Sequence, residues 1–355
     1  MNAATLIDVL PQHAFDQASL WRYLSEHLAG FTQPATLRQF QGGQSNPTFL
    51  VECGDEANRS RYVLRKKPPG RLLPSAHLVE REFRVFRALE HEAVPVPRTH
   101  LLCEDAAIIG TPFFVMDYVP GRVMTEVDLP GLARADRTAV YENAIATLAA
   151  IHRVDWQARG LSDFGKPQRY VARQVERWSS QYLASKSSED AAMDALCRWL
   201  RENVPADEET SIVHGDFRMG NLMLHPQEPR VVAVLDWELA TLGHPLGDLA
   251  YFCMFYRFPP DGPLFAGLAG RDLEALGIPD ESQVVAAYCR RMQRSRADHW
   301  PFFLAFSFFR LAAIAVGVHA RALQGNAADR RALEHGELAR TAAGIGWTIA
   351  REAGP

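Results

Sequence analysis

Several features that often reveal the class of a protein are scarce in this sequence. Its 355 residues include only five cysteines, which are widely scattered and never arranged as a CxxC pair. A zinc site or a disulfide framework is therefore not expected, and the cysteines are interpreted as reduced packing residues. Neither sign of charge predominates, since the net charge is −4. Nucleic-acid binding is not expected either, because proteins that bind nucleic acid normally carry a basic face.

Signals for export and for membrane insertion are also lacking. The N-terminal residues have no basic start followed by an apolar run, which a secretory signal would need. The most apolar stretch, residues 302–318, is interrupted by Arg310 and is shorter than a typical membrane span. It therefore predicts a buried helix. We expect a cytoplasmic protein without a membrane partner, and the oligomeric state stays open.

The order of predicted strands and helices changes near residue 120. The first third predicts five short strands and two amphipathic helices, at 16–29 and 77–90. The remainder is mainly helical, apart from a strand–loop–strand region at 212–236. Strands and helices that are segregated in this way indicate an α+β fold. The helices predicted after residue 120 are 136–152, 169–201, 281–295, 301–323 and 327–350.

One segment carries the residue types that a phosphoryl-transfer reaction needs. The sequence IVHGDFRMGNLMLHPQEPRVVAVLDWE places Asp216 five residues before Asn221, and Asp236 fifteen residues beyond that. The runs on either side of residues 225–230 predict a hairpin, which would bring Asp236 close to Asn221. A carboxylate can orient an attacking hydroxyl and take its proton, while oxygen ligands hold Mg²⁺ on the nucleotide phosphates.

These motifs together resemble a known family. HGDxxxxN, a strand ending in DWE and the following GHPLGDLAYF are similar to the aminoglycoside phosphotransferase and choline kinase family. The resemblance implies a bilobal, protein-kinase-like α+β fold, with an antiparallel-sheet N-lobe (1–118) that binds nucleotide and a mainly helical C-lobe (119–355). It also implies ATP as co-substrate and Mg²⁺ as cofactor.

The resemblance assigns roles to five residues of the central segment and its extension. It implies that Asp216 is the catalytic base and that Asn221 and Asp236 are metal ligands. His214 and Asp248 would organise the catalytic loop by hydrogen bonding.

The resemblance extends to nucleotide binding in the first third of the chain. FQGGQSNPTF would form the turn that covers the phosphates. Arg65 stands where kinases carry a phosphate-pairing lysine, and Glu82 matches its usual partner. VMDYVPG resembles the hinge whose backbone hydrogen-bonds adenine. The residues implied in nucleotide binding are Gly42, Gly43, Ser45, Asn46, Arg65, Glu82, Asp117 and Val119.

The acceptor is expected to be a small molecule that carries a hydroxyl group. YVLRKKPPGRLLPSAHLVEREFRVFRAL resembles the kinase-like part of proteins that also contain an acyl-CoA dehydrogenase domain. That likeness implies a hydroxy acid or a hydroxyacyl-CoA as acceptor. Lys66, Lys67 and Arg71 would then meet CoA or nucleotide phosphates, with a solvated rim as the alternative. The choice between ATP and GTP stays open.

Two other functions stay open at this point. The first is a non-catalytic nucleotide-binding regulator on the same fold, because Arg65 departs from the usual lysine. The second is a metal-dependent hydrolase, which would use His214, Asp216, His225, Asp236 and His244. Magnesium-dependent ADP formation favours the kinase, binding without turnover favours the regulator, and metal-dependent phosphatase activity favours the hydrolase.

Overall fold

The computed structural model describes residues 5–41, 46–70, 78–186, 188–262, 264–323 and 330–354. Within these ranges the chain forms eleven strands. They are β1 (Leu6–Ile7), β2 (Ala35–Phe40), β3 (Thr48–Cys53), β4 (Ser60–Lys66), β5 (Thr99–Cys103), β6 (Phe113–Asp117), β7 (Arg122–Val123), β8 (Ser211–Val213), β9 (Leu222–Leu224), β10 (Val231–Val234) and β11 (Thr241–Gly243).

The same ranges contain eleven α-helices. They are α1 (Gln17–His27), α2 (Val79–Leu89), α3 (Ala106–Ile109), α4 (Arg134–His152), α5 (Tyr170–Ser185), α6 (Ala191–Glu202), α7 (Leu246–Cys253), α8 (Leu273–Leu276), α9 (Glu281–Arg291), α10 (Trp300–Leu323) and α11 (His335–Ala353). All five cysteines are buried free thiols, as expected of packing residues.

Most of the predicted elements are present, and two predicted helices differ from the structure. The single helix predicted at 169–201 is wrong, because α5 ends at Ser185 and a new helix starts after Asp190. The side chain of Asp190 accepts a hydrogen bond from the N–H of Met193, which caps α6. The helix predicted from 327 begins later, at His335. Helix α7 was not predicted, because its sequence was read only as a motif.

Contacts divide the chain into two compact units. The first contains Met1–Met124, Gln157–Leu161 and Asn221–Ala240, and the second contains Thr125–Trp156, Ser162–Gly220 and Thr241–Pro355. The two predicted domains instead divide the chain once, after residue 118. The units interleave because the segment that contains β9 and β10 packs with the strand-rich part of the chain. The domain boundary itself stays a prediction.

The first unit is built around a six-stranded antiparallel sheet. Its strand order is β1-β2-β3-β4-β6-β5. On β4, Leu64 joins a hydrophobic cluster with Leu20 and Leu24 of α1, whereas the next residue, Arg65, contacts α2. Successive strand residues point to opposite faces, so α1 and α2 cover opposite sides of the sheet. Helix α2 is amphipathic, as predicted, and buries Val79, Val85, Phe86 and Leu89 among others.

A second, three-stranded sheet completes the first unit. Strand β9 pairs antiparallel with both β10 and β7, and Val234 lies opposite Leu222. The N–H of Leu235 donates to the carbonyl of Asn221 over 2.8 Å. The predicted hairpin is therefore confirmed, and it brings the residue before Asp236 into contact with Asn221.

The second unit is mainly helical. Helix α10 packs against α5, α6, α7 and α11, and α4 packs against α9. Strands β8 and β11 pair antiparallel, with Val213 opposite Thr241. The chain leaves β8 directly into the HGD sequence, so this pair fixes the start of the loop that carries Asp216.

Helix α10 is the apolar stretch that the sequence analysis singled out. By length and composition it could cross a membrane, and 67% of its most apolar window is buried inside the protein. The buried residues include five phenylalanines, which lie at 302, 303, 306, 308 and 309. This burial agrees with the predicted buried helix.

Candidate active site

Arg65 is the centre of a polar cluster in the first unit. Its Nε donates to Oε2 of Glu82 over 2.7 Å, and its Nη2 donates to Oδ1 of Asp236 over 3.1 Å. Its Nη1 lies 3.4 Å from the hydroxyl of Thr48 on the neighbouring strand. The predicted pair between Arg65 and Glu82 is therefore present, and the same guanidinium also contacts a predicted metal ligand. Its role in nucleotide binding stays a prediction.

Burial and charge act in opposite directions on this cluster. Burial raises the pKa of Glu82 to about 7, although the guanidinium of Arg65 acts to lower it. Burial would lower the pKa of Arg65, but the carboxylates of Glu82, Asp236 and Glu238 raise it above its ordinary value. Arg65 therefore stays charged. Glu238, two residues after Asp236, contributes to this cluster through its charge.

Asp236 and Asn221 supply oxygen donors of the type that magnesium prefers. The Asp236 side chain is 38% exposed, and its backbone adopts a left-handed conformation with φ 65°. Asp and Asn tolerate this conformation better than most residues that carry a Cβ. Magnesium is commonly held by one or two carboxylates together with phosphate oxygens. One carboxylate and one amide oxygen therefore fit a magnesium site.

Among the described residues, no group of three or more His, Cys, Asp or Glu is placed to hold a metal. The residues proposed for a hydrolase are dispersed. His244 donates to or accepts from Asp207 and stacks on Phe303, while His225 accepts hydrogen bonds from the N–H groups of Gln227 and Glu228.

The remaining predicted nucleotide-binding residues are only partly described. Gly42, Gly43 and Ser45 lie outside the described residues, as does Arg71. Asn46 is buried, and its side-chain amide has no hydrogen-bond partner in the described part of the chain. Buried amides are normally hydrogen-bonded. An unpaired amide next to the turn that is predicted to cover the phosphates is consistent with a residue that hydrogen-bonds a ligand.

The predicted hinge follows β6. The N–H of Asp117 donates to the carbonyl of Arg98 over 2.8 Å and is not free to bind adenine. The carbonyl of Asp117 is therefore its backbone group that could hydrogen-bond adenine. Its carboxylate contacts His100 at 2.6 Å. Val119 lies two residues further on, and its role stays a prediction.

The two lysines after Arg65 do not form a solvated rim. Lys66 is buried, and its amine lies 4.8 Å from the centre of the Phe15 ring. Burial lowers the pKa of this amine. Lys67 forms an ion pair with Glu80. Both interpretations of Lys66, as a phosphate contact and as a solvated rim, are therefore wrong, because alternation along β4 turns its side chain away from the face that carries Arg65.

Asp216 lies in the second unit, on a loop that is held by the carboxylate of Asp248. One oxygen of Asp248 accepts from the N–H of His214 over 2.6 Å, and the other accepts from the N–H of Gly215 over 2.9 Å. The imidazole of His214 accepts from the N–H of Asp216 over 3.2 Å. These are the hydrogen bonds expected of residues that organise the loop.

Asp248 is itself fixed by a buried histidine on α4. His152 lies 3.4 Å from the Asp248 carboxylate through Nε2 and 2.7 Å from the hydroxyl of Tyr288 through Nδ1. Burial alone would raise the pKa of Asp248, but the hydrogen bond from His152 and the nearby imidazoles hold it below its ordinary value. Asp248 is therefore ionised and can accept from both backbone N–H groups.

A cavity of about 430 Å³ opens beside Asp216 within the second unit. Arg218 supplies its only basic side chain among the described residues, and its Nε lies 3.3 Å from the Asp216 carboxylate. Most of the other lining side chains are apolar. The lining residues are Thr125, Val127, Asp216, Arg218, Met219, Gly220, Tyr251, Met254, Phe255, Leu264 and Phe265.

Three residues around Asp216 were not identified as functional from the sequence. Arg218 and Tyr251 line its cavity, and Arg310 donates from Nη2 to the carbonyl of Gly215 over 2.7 Å. Arg310 had a sequence signal, since it is the only charged residue in the apolar run 302–318. Arg218 and Tyr251 lie within or next to recognised motifs, but nothing in their spacing indicated their contacts.

Comparisons with known proteins identify the family of this chain. A family model described as the phosphotransferase enzyme family matches residues 36–285. Acyl-CoA dehydrogenase family member 10 of Mus musculus is 45% identical over 342 residues, which cover 96% of this chain and 32% of that protein. The chain spans about a third to two-fifths of the length of such curated relatives.

Solved structures show the same relationship. The crystal structure of a candidate aminoglycoside phosphotransferase from Ralstonia eutropha has a TM-score of 0.87 and 45% identity, covering 96% of this chain and 99% of that one. A choline kinase from Cryptosporidium parvum has a TM-score of 0.66 with 12% identity, over 95% of this chain and 96% of the other. At that identity the second comparison shows the fold alone.

Proposed function

We propose that this chain, which belongs to the phosphotransferase enzyme family, transfers the γ-phosphate of ATP to a hydroxyl group of a small molecule in a magnesium-dependent reaction. One observation carries this proposal. The carboxylate of Asp216 borders a cavity, and it lies on a loop whose backbone is fixed by the buried carboxylate of Asp248. Phosphoryl transfer depends mainly on positioning and electrostatics, and a base held in this way is suited to that chemistry.

The chain's own residues perform three tasks in this mechanism. Asp216 accepts a hydrogen bond from the acceptor hydroxyl and takes its proton as the oxygen attacks. Arg65, held by Glu82, provides a fixed positive charge for phosphate oxygens. When bound, magnesium would neutralise charge on the β- and γ-phosphates, and Asn221 and Asp236 would hold it.

The cavity beside Asp216 favours an acceptor with an apolar portion and an acidic or carbonyl group. Six of its eleven lining residues are apolar, and Arg218, which pairs with Asp216, offers a donor for an anion or a carbonyl oxygen. Among the described residues the cavity offers no acid besides Asp216 for the several ammonium groups of an aminoglycoside. We therefore propose a hydroxy acid or a hydroxyacyl-CoA. The relatives named as acyl-CoA dehydrogenase family members support the same class.

The first experiment is a turnover assay with magnesium and ATP or GTP against hydroxy acids, hydroxyacyl-CoAs, choline and aminoglycosides. We expect nucleoside diphosphate formation with a hydroxylated acyl compound and a new phosphate ester by phosphorus NMR. Chelation of magnesium should stop the reaction. The proposal is overturned if no member of the panel increases nucleotide turnover. Nucleotide binding without turnover would instead favour the regulator, and phosphatase activity with a transition metal would favour the hydrolase.

Replacement of the base tests the mechanism directly. We expect Asp216→Asn to lower kcat by about 100- to 10,000-fold, the usual contribution of a general base. The dissociation constant of magnesium–ATP should change little, because Asp216 is assigned to the acceptor rather than to the nucleotide. Titration of nucleotide binding and steady-state kinetics measure the two effects separately. Asp261→Asn, at an exposed acid of the same unit, is the matched control and should behave like wild type.

A further inference from the structure

We propose that Tyr251 and Arg310 are positioning residues that together fix the carboxylate of Asp216. This inference rests on the proposed function, in which Asp216 is the base. The two residues would restrain the loop at two further points, the side chain of Asp216 and the carbonyl of Gly215. The support from Asp248 acts only on backbone N–H groups.

The first contact is made by Tyr251. Its side chain and that of Asp216 line the same cavity. Burial raises the pKa of the Tyr251 phenol, and the charge of Asp216 and hydrogen bonding to it raise this pKa further. Tyr251 lies on α7, three residues after Asp248, so the two side chains project from the same side of one helix. A single helix therefore fixes the loop twice, through the backbone at residues 214 and 215 and through the side chain at residue 216.

The second contact is made by Arg310 from α10. Its Nη2 donates to the carbonyl of Gly215 over 2.7 Å, while the N–H of the same glycine donates to Asp248. Gly215 has φ 83°, which a residue with a side chain rarely adopts. Both polar groups of Gly215 are thus held, and Asp216 follows directly in the chain.

The guanidinium of Arg310 also connects the two contacts. Its central carbon lies 5.4 Å from the centre of the Tyr251 ring and 5.6 Å from that of Trp178. Stacking between a guanidinium and aromatic rings is favourable. Arg310 therefore restrains both the backbone before Asp216 and the ring of Tyr251.

Not every buried donor of this cluster has a hydrogen-bond partner in the described part of the chain. In the part of the chain that the structure describes, the buried Nε of Arg310 and the buried Nε1 of Trp178 have no acceptor. Unpaired buried donors are unfavourable, and proteins keep such features mainly at functional sites. The guanidinium thus contacts the Gly215 carbonyl and the Tyr251 ring, although one of its donors is unpaired in the described part of the chain.

This arrangement has a chemical consequence for the base. Contacts to a carboxylate limit its rotation, and Arg218 contacts the same group through Nε at 3.3 Å. The phenol of Tyr251 can be removed without a change in charge, whereas removal of Arg218 or Arg310 also removes a charge.

The test compares Tyr251→Phe and Arg310→Met with wild type in the turnover assay. We expect kcat to fall about 10- to 100-fold in each variant, the scale of a misplaced catalytic group, with the KM for ATP unchanged. The loss should appear in kcat rather than in the KM for ATP, because both residues act on the base and not on the nucleotide. Arg310→Lys should recover part of the rate, since lysine can still donate to the Gly215 carbonyl.

Two matched variants control for indirect effects. Tyr256→Phe removes a buried phenol that donates to the carbonyl of Pro279 instead, and Arg177→Met removes a guanidinium that stacks on the same Trp178 ring at 5.3 Å. Both should keep the wild-type kcat. Urea unfolding of every variant identifies any loss of rate that comes from unfolding, and Tyr251→Phe is conservative enough to remain folded.

The outcomes separate the two proposals. If wild type shows no turnover with any acceptor, the proposed function fails. If wild type is active while folded Tyr251→Phe and Arg310→Met match their controls in kcat, the positioning role is overturned. A fall in kcat that is accompanied by an equal rise in the KM for ATP would also overturn it, because general damage to the structure gives that result.

Discussion

At the scale of single residues, Arg65 stands at a position where the resemblance to kinases predicts a lysine, and its contacts differ from those that a lysine could make. Its three nitrogens contact three different partners, which are Glu82, Asp236 and Thr48. A lysine amine is one point of charge on a flexible stem and cannot reproduce this fork. The departure from lysine is therefore accompanied by a geometry that only a guanidinium can supply.

Removal of Arg65 should lower the free energy of unfolding even in the absence of ligand. In Arg65→Met the Glu82 carboxylate, which is 2% exposed, would be left without its cation. The loss of one partner of a buried pair typically costs about 3–5 kcal/mol. We expect a corresponding decrease in the free energy of unfolding, measured by urea denaturation at pH 8. Arg38→Met, at an arginine that donates to the carbonyl of Leu6, is the control and should cost much less.

The pKa of Glu82 provides a second check on this prediction. Because burial raises this pKa to about 7, protonation should neutralise an orphaned Glu82 readily. The destabilisation of Arg65→Met should therefore shrink as the pH falls from 8 to 6, and Arg65→Met combined with Glu82→Gln should recover stability at pH 8. An unchanged cost in the double variant would contradict the buried-pair explanation.

The sequence predicted some of these residues and not others, for a physical reason. Asp216, Asn221 and Asp236 lie within 21 residues of one another, and the hairpin that relates the last two is a local structure. Arg310 contacts Gly215 across 95 positions of sequence, and no local pattern encodes such a contact. Lys66 was misread because its neighbours are polar in sequence, although the strand alternation turns it inward.

At the scale of helices and strands, hydrophobic periodicity predicted amphipathic helices well and predicted uniformly apolar helices poorly. Helix α2 alternates apolar and charged positions, and its bounds were predicted within two residues. Helix α7 is almost entirely apolar apart from Asp248, so it shows no polar face by which to recognise it. The break between α5 and α6 depends on a single capping residue, Asp190, inside a run whose composition suits a helix throughout.

Capping also gives a prediction for α9. Asp280 accepts from the N–H of Gln283, and the Gln283 side chain accepts from the N–H of Asp280, which completes a capping box. Asp280→Ala should lower the free energy of unfolding by about 0.5–2 kcal/mol. Asp280→Asn keeps an acceptor oxygen and should cost less.

The acid dependence of this cap checks its origin. Hydrogen bonds from Ser282 and from the backbone of Gln283 hold the pKa of Asp280 below its ordinary value of 3.8. The stabilisation should therefore be present above pH 3.8 and disappear as the pH falls through the lowered pKa. An equal cost for the alanine and asparagine variants in urea denaturation at neutral pH would argue against the cap.

At the scale of the whole molecule, the predicted family and the kinase-like α+β fold are confirmed. Segregation of strands and helices along the chain was enough to indicate that class. The interleaving of the two units was not predicted, because it depends on the pairing of β7 with β9 across about a hundred residues. The cavity beside Asp216 was likewise beyond the sequence, since residues from four separate segments line it.

The pH dependence of overall stability should include a contribution from His244. Burial lowers the pKa of His244 below 6.5, although its bond to Asp207 acts to raise it. Below pH 6.5 the unfolded chain therefore binds a proton that the folded chain does not. The free energy of unfolding should fall as the pH decreases from 6.5 through the folded pKa, by at most about 1.4 kcal/mol per pH unit. Urea denaturation between pH 7 and 5 measures this slope.

A variant isolates that contribution. His244→Gln should show a shallower loss of stability than wild type over the same pH range, whatever its absolute stability. His91→Gln, at an exposed histidine, should retain the wild-type slope. Parallel slopes for wild type and His244→Gln would show that His244 is not the source.

The interleaved units also constrain the order in which a nascent chain can fold. The first unit is complete only when Asn221–Ala240 has left the ribosome, although its strands β1 to β7 have all been made by Met124. At roughly 5–20 residues per second, the intervening synthesis takes about 6–23 s. During that interval Arg65 has no Asp236 to contact and β7 has no strand beside it. The first unit therefore stays incomplete while much of the second unit is being translated.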